Sequence, residues 1–336
     1  MSLWRSYKLR LRRRRWNIRA LRKGRELNCV KDNTKNIKQD DIILVCTFRN
    51  EAMRLPYFLE YYRGLGVSHF LFIDNGSTDH PELLFENAPD ISLWHTKHSY
   101  KSSRFGVDWI NYLLRKYGTD HWCLVVDPDE FFVYPFCDSR PLSALTDWLD
   151  SQETRSFGTI LLDLYPKGKF HETPYSPGQD PTEIACWFDY GNYTCEKNHA
   201  LGNLWIQGGA RARQFFSDTP KQSPALNKIP LVKWKKRYAY ESSTHMILPR
   251  GLNLVYDESG GERASGVLLH TKFIDTFGQK ATEELKRNEH YAQSKEYQAY
   301  AEGLKETPDF WHNWSERYIN WRQLEILGLM SKGNWG

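Results

Sequence analysis

The sequence predicts an α/β fold: a mixed sheet with helices on both faces, followed by C-terminal helices. Three observations predict it. From residue 41 to about 135, apolar runs of strand length alternate with stretches of helical period. Polar motifs stand at the ends of those runs, where sheets of this class bind ligands. No apolar run reaches the ~18 residues needed to cross a bilayer.

The elements follow in order. Residues 1–40 read as an arm and linker. On a helical wheel Leu3, Trp4, Tyr7, Leu11, Ile18 and Leu21 share one side, interrupted by Arg14 and Arg15. The polar run 28–41 reads as linker. Strands are expected at 41–47, 69–74, 91–95 and 122–127. Helices are expected at 51–65, 81–87 and 104–117. Leu55, Phe58, Leu59 and Tyr62 recur at helical spacing in one of these, and Val107, Ile110, Leu113 and Leu114 in another. Strands separated by helices imply parallel βαβ units. After residue 135 a helix is expected at 142–151 and strands at 159–165 and 267–273. Residues 166–235 are rich in Pro, Gly and aromatics and suit a region covering substrate. From 279 to 330 the pattern is helical, with Trp311, Trp314, Tyr318 and Trp321 near helical spacing.

Charge is unevenly spread along the 336 residues. The net charge is +5, yet residues 1–25 hold 11 Lys/Arg and no acid, so the other 311 residues sum to −6. Such an arm seeks phosphate, on lipid head groups or nucleic acid. The 40% apolar content allows a folded core, and 15% aromatic residues, 13 of them Trp, suit sugar or lipid contact as well as a Trp-rich core. Six cysteines form no CxxC pair, so zinc is not signalled; Cys46 and Cys123 read as buried thiols, and a Cys186–Cys195 disulfide is an open alternative. With no export signal in the chain, a cytoplasmic setting is expected, peripheral at the inner face of the cell membrane.

The sharpest motif is Leu124-Val125-Val126-Asp127-Pro128-Asp129-Glu130-Phe131-Phe132. An apolar strand ends in three carboxylates within four positions. Their mutual repulsion is costly unless a cation joins them. Two hard oxygen ligands one residue apart suit Mg²⁺ or Mn²⁺, with diphosphate and water completing the shell. Two earlier strand ends, Cys46-Thr47-Phe48-Arg49-Asn50-Glu51 and Ile73-Asp74-Asn75-Gly76-Ser77-Thr78-Asp79, offer groups for a base edge or ribose, or else form a turn and helix cap.

These three motifs, in this order and spacing, resemble family 2 glycosyltransferases of GT-A fold, a Rossmann-like architecture. The variant is similar to the bacterial family-2-like group related to family 92 galactosyltransferases. The resemblance covers residues 41–275, leaving 1–40 as a basic arm and 276–336 as a C-terminal helical extension. It implies that Thr47, Asn50, Glu51, Asp74 and Asn75 line the nucleoside. Asp127 and Asp129 would hold ribose and metal. Asn75 stands where family 2 usually shows a second Asp. The late run Gly266-Val-Leu-Leu-His270-Thr-Lys272-Phe is similar to the family's third metal ligand, His270, with Lys272 as a cation for the diphosphate. Gly208-Gly-Ala-Arg211-Ala-Arg213 and Ser242-Ser-Thr-His245 resemble further group motifs, with Arg211, Arg213 and His245 toward phosphate or acceptor. Arg49 joins the nucleotide contacts, and Lys101 and Arg104 are phosphate-facing candidates.

Sugar transfer with inversion needs a carboxylate to deprotonate the acceptor hydroxyl. Asp163, a charge inside the apolar run Ile160-Leu-Leu-Asp-Leu, is the first choice for this base, ahead of Glu130, Glu183 and Glu241. The expected activity is metal-dependent hexosyl transfer from a UDP-linked donor to a glycan or lipid-linked acceptor, in polysaccharide biosynthesis. Residues 1–27 are expected to meet an anionic membrane surface. Two alternatives stand beside it. A nucleotidyltransferase also uses paired Asp and a metal, but normally carries a Gly-rich phosphate loop absent here. A non-catalytic nucleic-acid-binding protein would act through the arm, against an acidic body with no recognised motif; no nucleic acid is therefore expected.

Overall fold

The computed structural model describes residues 3–256, 263–277 and 309–336. In chain order the strands are β1 Asn28–Lys31, β2 Ile43–Phe48, β3 His69–Asp74, β4 Ile91–His95, β5 Trp122–Val125, β6 Glu130–Val133, β7 Ser156–Asp163, β8 Trp187–Asp189, β9 Tyr193–Lys197, β10 Leu204–Gly208, β11 Asn227–Lys233, β12 Ala239–Ser242, β13 Met246–Leu248, β14 Gly266–His270 and β15 Ser315–Arg317. The helices are α1 Leu3–Lys23, α2 Leu55–Leu65, α3 Val107–Tyr117, α4 Leu142–Ser151, α5 Pro181–Ile184, α6 Gly209–Phe215 and α7 Trp321–Ile326.

Nine strands form one mixed sheet in the order β1-β4-β3-β2-β5-β11-β7-β14-β6. The segment β4-β3-β2-β5 is parallel, as the alternation predicts. Beyond it β11 runs antiparallel to both neighbours, β14 runs parallel to β7, and β6 closes the edge antiparallel to β14. Strand period then sorts the core onto two faces. Leu44, Cys46, Phe48, Phe70 and Phe72 cluster with Phe58, Tyr62, Leu145 and Leu149 of α2 and α4. Ile43, Val45, Leu71 and Ile73 cluster with Val107, Trp109, Leu113 and Leu114 of α3. Helices therefore cover both faces. All six cysteines are free, with Cys46 and Cys123 buried.

Several expectations change. The stretch 28–41 is not a linker: β1 pairs with β4 at the sheet edge, Cys29 opposite Trp94. The arm is a 21-residue helix, and its C-terminal half is docked on the body rather than free. Ala20 is buried. Arg19 Nε lies 2.6 Å from Asp108 of α3, and Trp16 Nε1 donates to Glu241 at 2.8 Å. A Cβ on Gly24 would lie 2.3 Å from the Tyr112 ring, so only glycine allows this approach. The helix expected at 81–87 is a 3₁₀ turn, Pro81–Phe85. Within 166–235, β11 is a central strand, not part of a cover.

The helical expectation at 279–330 lies partly outside the described residues. Within 309–336 it does not hold for Trp311, Trp314 and Tyr318. Strand β15 occupies Ser315–Arg317 and pairs with β8. Only Trp321 enters a helix, α7. Trp321, Leu324, Met330 and Trp335 of this segment pack into the main core. No described helix is long and apolar enough to cross a membrane.

Candidate functional site

Register brings the charged groups together. At one end of the sheet His270 pairs with Asp163 across β14–β7 and with Glu130 across β14–β6. Glu130 follows the turn Asp127-Pro128-Asp129 that joins β5 to β6. The neighbouring β11 adds Lys228, which the sequence reading missed. Its Nζ lies 2.8 Å from Glu130 Oε1 and 3.9 Å from Asp127 Oδ2. A lysine in the apolar run Asn227-Lys-Ile-Pro-Leu-Val was a legible signal, because a buried ammonium needs an anion.

The chain of charge then runs Asp129, His270, Asp163, Arg211. His270 Nε2 stands 3.4 Å from Asp129 Oδ2, and Nδ1 lies 2.6 Å from Asp163 Oδ1. An ionised carboxylate only accepts, so Nδ1–H donates to Asp163. Arg211 grips the same carboxylate, Nε to Oδ2 at 3.0 Å and Nη2 to Oδ1 at 2.5 Å. Two glycines aim that arginine. Gly208 and Gly209 sit at φ 139 and 66, and a Cβ on Gly208 would lie 2.0 Å from the Asn192 carbonyl oxygen.

This pairing argues against Asp163 as the base. Burial favours its neutral form, but Arg211 and then His270 outweigh burial and hold the carboxyl well below the usual carboxylate range. A fully buried, doubly paired carboxylate has neither the basicity nor the access to take a proton from an acceptor. Through that contact it fixes the His270 ring from its Nδ1 side. For His270, burial disfavours the charged ring, but Asp129 and Asp163 prevail and raise its pKa. Asp127 differs: its side chain is half exposed beside Lys228. Partial loss of water, then the Glu130 charge, raise its pKa against the pull of Lys228.

Other predicted contacts are spent within the protein. Asp74 Oδ1 accepts from Ser77 N at 2.8 Å and from Ser77 Oγ at 2.6 Å, closing an Asx turn. Asn75 donates to the Thr96 and His98 carbonyls, and Asn50 Oδ1 accepts from Thr78 N. Glu51 lies 3.3 Å from Arg54 and is buried. The Asn50 contact to Thr78 joins the β2 and β3 loops, while Asp74 and Asn75 brace the β3 loop. Arg213 pairs with Asp189 and also donates to the Phe310 carbonyl. His245 Nδ1 bonds the Asn227 carbonyl, and Lys272 lies over the Phe277 ring. Arg104 pairs with Asp108 and carries Trp16 on its guanidinium, 4.0 Å from the ring centre.

Two hollows flank the end of β2. The smaller, about 60 Å³, is lined by Thr47, Tyr100, Phe105, Asp127, Glu130, Lys228, Tyr240 and Thr244. Thr47 Oγ1 and Thr244 Oγ1 are buried there without a hydrogen-bond partner. An unsatisfied buried hydroxyl costs about 1–3 kcal/mol, so both are ready for a polar ligand. The larger, about 480 Å³, is lined by Arg49, Asn75, Gly76, Ser77, Thr78, His95, Lys97, His98 and Ser99. Consecutive residues Ser99 and Tyr100 line one each. The larger is of small-ligand size, and its cations suit an anionic or polar molecule.

A divalent cation is tested by the donors present. Among the described residues no three His, Cys, Asp or Glu side chains form a ready ligand cluster. What the residues fit is a cation held by few protein groups. Asp129 offers a hard oxygen, His270 offers Nε2, and Asp163 fixes the imidazole through its other nitrogen, a common outer-shell arrangement around metals. No protein-family model matches the chain, and no curated protein matches it.

Proposed function

We propose that the chain is a glycosyltransferase of GT-A fold that moves a hexose from a UDP-linked donor to a hydroxyl of a glycan or lipid-linked acceptor, with inversion. The observation that carries this reading is the meeting of Asp127, Asp129, Glu130, His270 and Lys228 at one sheet end beside two unsatisfied buried threonine hydroxyls. Three carboxylates balanced by one lysine and one histidine leave room for added positive charge. Asp129 and His270 would hold Mn²⁺ or Mg²⁺. When bound, that ion supplies stabilisation of the leaving diphosphate.

The remaining work falls to the chain's own residues. Asp163 keeps His270 in the orientation that turns Nε2 toward Asp129. Lys228 holds Glu130 and brings positive charge beside Asp127. Thr47 and Thr244 would hydrogen-bond donor oxygens, and the larger hollow with Arg49 and Lys97 would receive the nucleoside part. With Asp163 paired to Arg211, Glu130 to Lys228 and Glu241 to Arg12 and Trp16, Glu183 on α5 is the exposed one of the four sequence candidates and the reading's choice of base. The testing experiment incubates the full chain with a panel of nucleotide sugars and Mn²⁺ and measures nucleotide diphosphate release. Release from one donor class, lost on chelation, supports the reading. A folded protein that neither binds nor cleaves any donor overturns it.

A further inference from the structure

Helix α1 has two unlike sides. From Arg12 to Gly24 one side is docked: Arg12 pairs with Glu241, Trp16 covers Arg104 and Glu241, and Arg19 reaches Asp108. The other side faces water. There Trp4, Tyr7, Leu11 and Ile18 follow at spacings of 3, 4 and 7 on a single stripe, and they are 63, 50, 44 and 52% exposed. Arg10, Arg14 and Arg22 are exposed along the same helix, and no acid occurs in residues 1–25. A helix face meant only for water would not carry two aromatic rings and two aliphatic side chains in a row.

We propose that the outward face of α1 is a docking surface for an anionic lipid bilayer. Lying in the membrane plane, the stripe would enter the head-group boundary while arginine heads reach lipid phosphates. A nucleic acid would satisfy the cations but would leave Trp4, Leu11 and Ile18 without an apolar environment. The structure adds what a flexible tether would lack. The docked side of α1 holds Arg104, whose Nη1 bonds the Glu241 carbonyl at 2.9 Å, and Phe105 and Tyr240, next in sequence to these two, line the smaller hollow. The membrane would therefore be held at a fixed attitude to that hollow. This inference stands apart from the transfer reading, since it concerns binding alone.

The test is co-sedimentation of the full chain with vesicles of phosphatidylglycerol and phosphatidylcholine, against phosphatidylcholine alone, with duplex RNA in a parallel binding assay. Expected is binding to the anionic vesicles at least ~10-fold tighter than to neutral ones, released by high salt. The triple variant Trp4→Ser/Tyr7→Ser/Leu11→Ser should lose about tenfold in vesicle binding with unchanged thermal unfolding, because these side chains lie on the outward face. Arg10→Glu/Arg14→Glu should lose at least as much. Absent binding, equal binding to both vesicle types, or binding indifferent to the triple variant overturns the proposal. So does tighter RNA binding that the triple variant leaves intact, which would assign the face to nucleic acid.

Discussion

Asp163 and His270, 107 positions apart in the chain, stand side by side at the ends of two parallel strands, joined by a 2.6 Å hydrogen bond from Nδ1 to Oδ1. That bond fixes the imidazole from its Nδ1 side. It also makes the pair a sensitive place to probe the site.

Asp163→Asn should destabilise the fold by about 3 kcal/mol, because a neutral amide would replace the buried carboxylate that both Arg211 and His270 bind. Chemical denaturation measures this. A loss below ~1 kcal/mol would show that the carboxylate's charge adds little to stability. Activity should fall with it, through a misdirected His270 and not through loss of a base. The activity that remains should keep the wild-type pH profile.

The same carboxylate sets an acid dependence. Its folded pKa is depressed below its unfolded value, near 4. The stability it contributes is therefore complete above about pH 4–5 and is lost as pH falls toward the folded pKa, where the unfolded chain takes up the proton first. Unfolding free energies of wild type and Asp163→Asn, compared from neutral pH downward, should converge on acidification. A constant difference down to pH ~2 would contradict the pairing.

Asp129→Asn and His270→Ala should each weaken Mn²⁺-dependent donor binding by ~10-fold or more while the sheet stays folded, since both side chains sit at a strand end. Isothermal titration with and without Mn²⁺ reads this directly. Unchanged metal dependence in His270→Ala would remove that residue from the set.

Lys228→Met should cost about 3 kcal/mol by stranding Glu130, which is 2% exposed. The double variant Lys228→Met/Glu130→Gln should recover much of that loss. Failure to recover would place the cost in packing and not in charge.

Gly24→Ala should loosen α1 from α3 through collision with Tyr112. Limited proteolysis would find residues 1–25 cut faster, with the body resistant. Equal cutting rates would mean that Tyr112 yields.

Much of the first half was legible because its signals are local. Period and turn residues marked β3, β4 and α4 with the bounds the structure shows, and Asp127-Pro-Asp-Glu announced a carboxylate cluster at a strand end. Where reading stopped, the cause was long-range pairing. Strand β1 is short and polar because it is an edge, so it read as linker. Strand β11 carries Lys228 in an apolar run, and its central place depends on β5 and β7, which are distant in sequence. The Trp311–Tyr318 spacing resembled a helix, but pairing with β8 decided for a strand at 315–317.

The sequence by itself determined the alternation of elements, the acidic turn after β5, the single-signed charge of residues 1–25 and the apolar stripe of α1, because each is a property of neighbours along the chain. The tertiary structure decided what the charges do. Asp163, Arg211, His270 and Lys228 are each ambiguous alone, since a buried charge takes its pKa and its role from whichever opposite charge the sheet register sets beside it. The register β7-β14-β6 sets His270 between Asp163 and Glu130, the turn from β5 brings Glu130 to Lys228 of β11, and α6 carries Arg211 to Asp163.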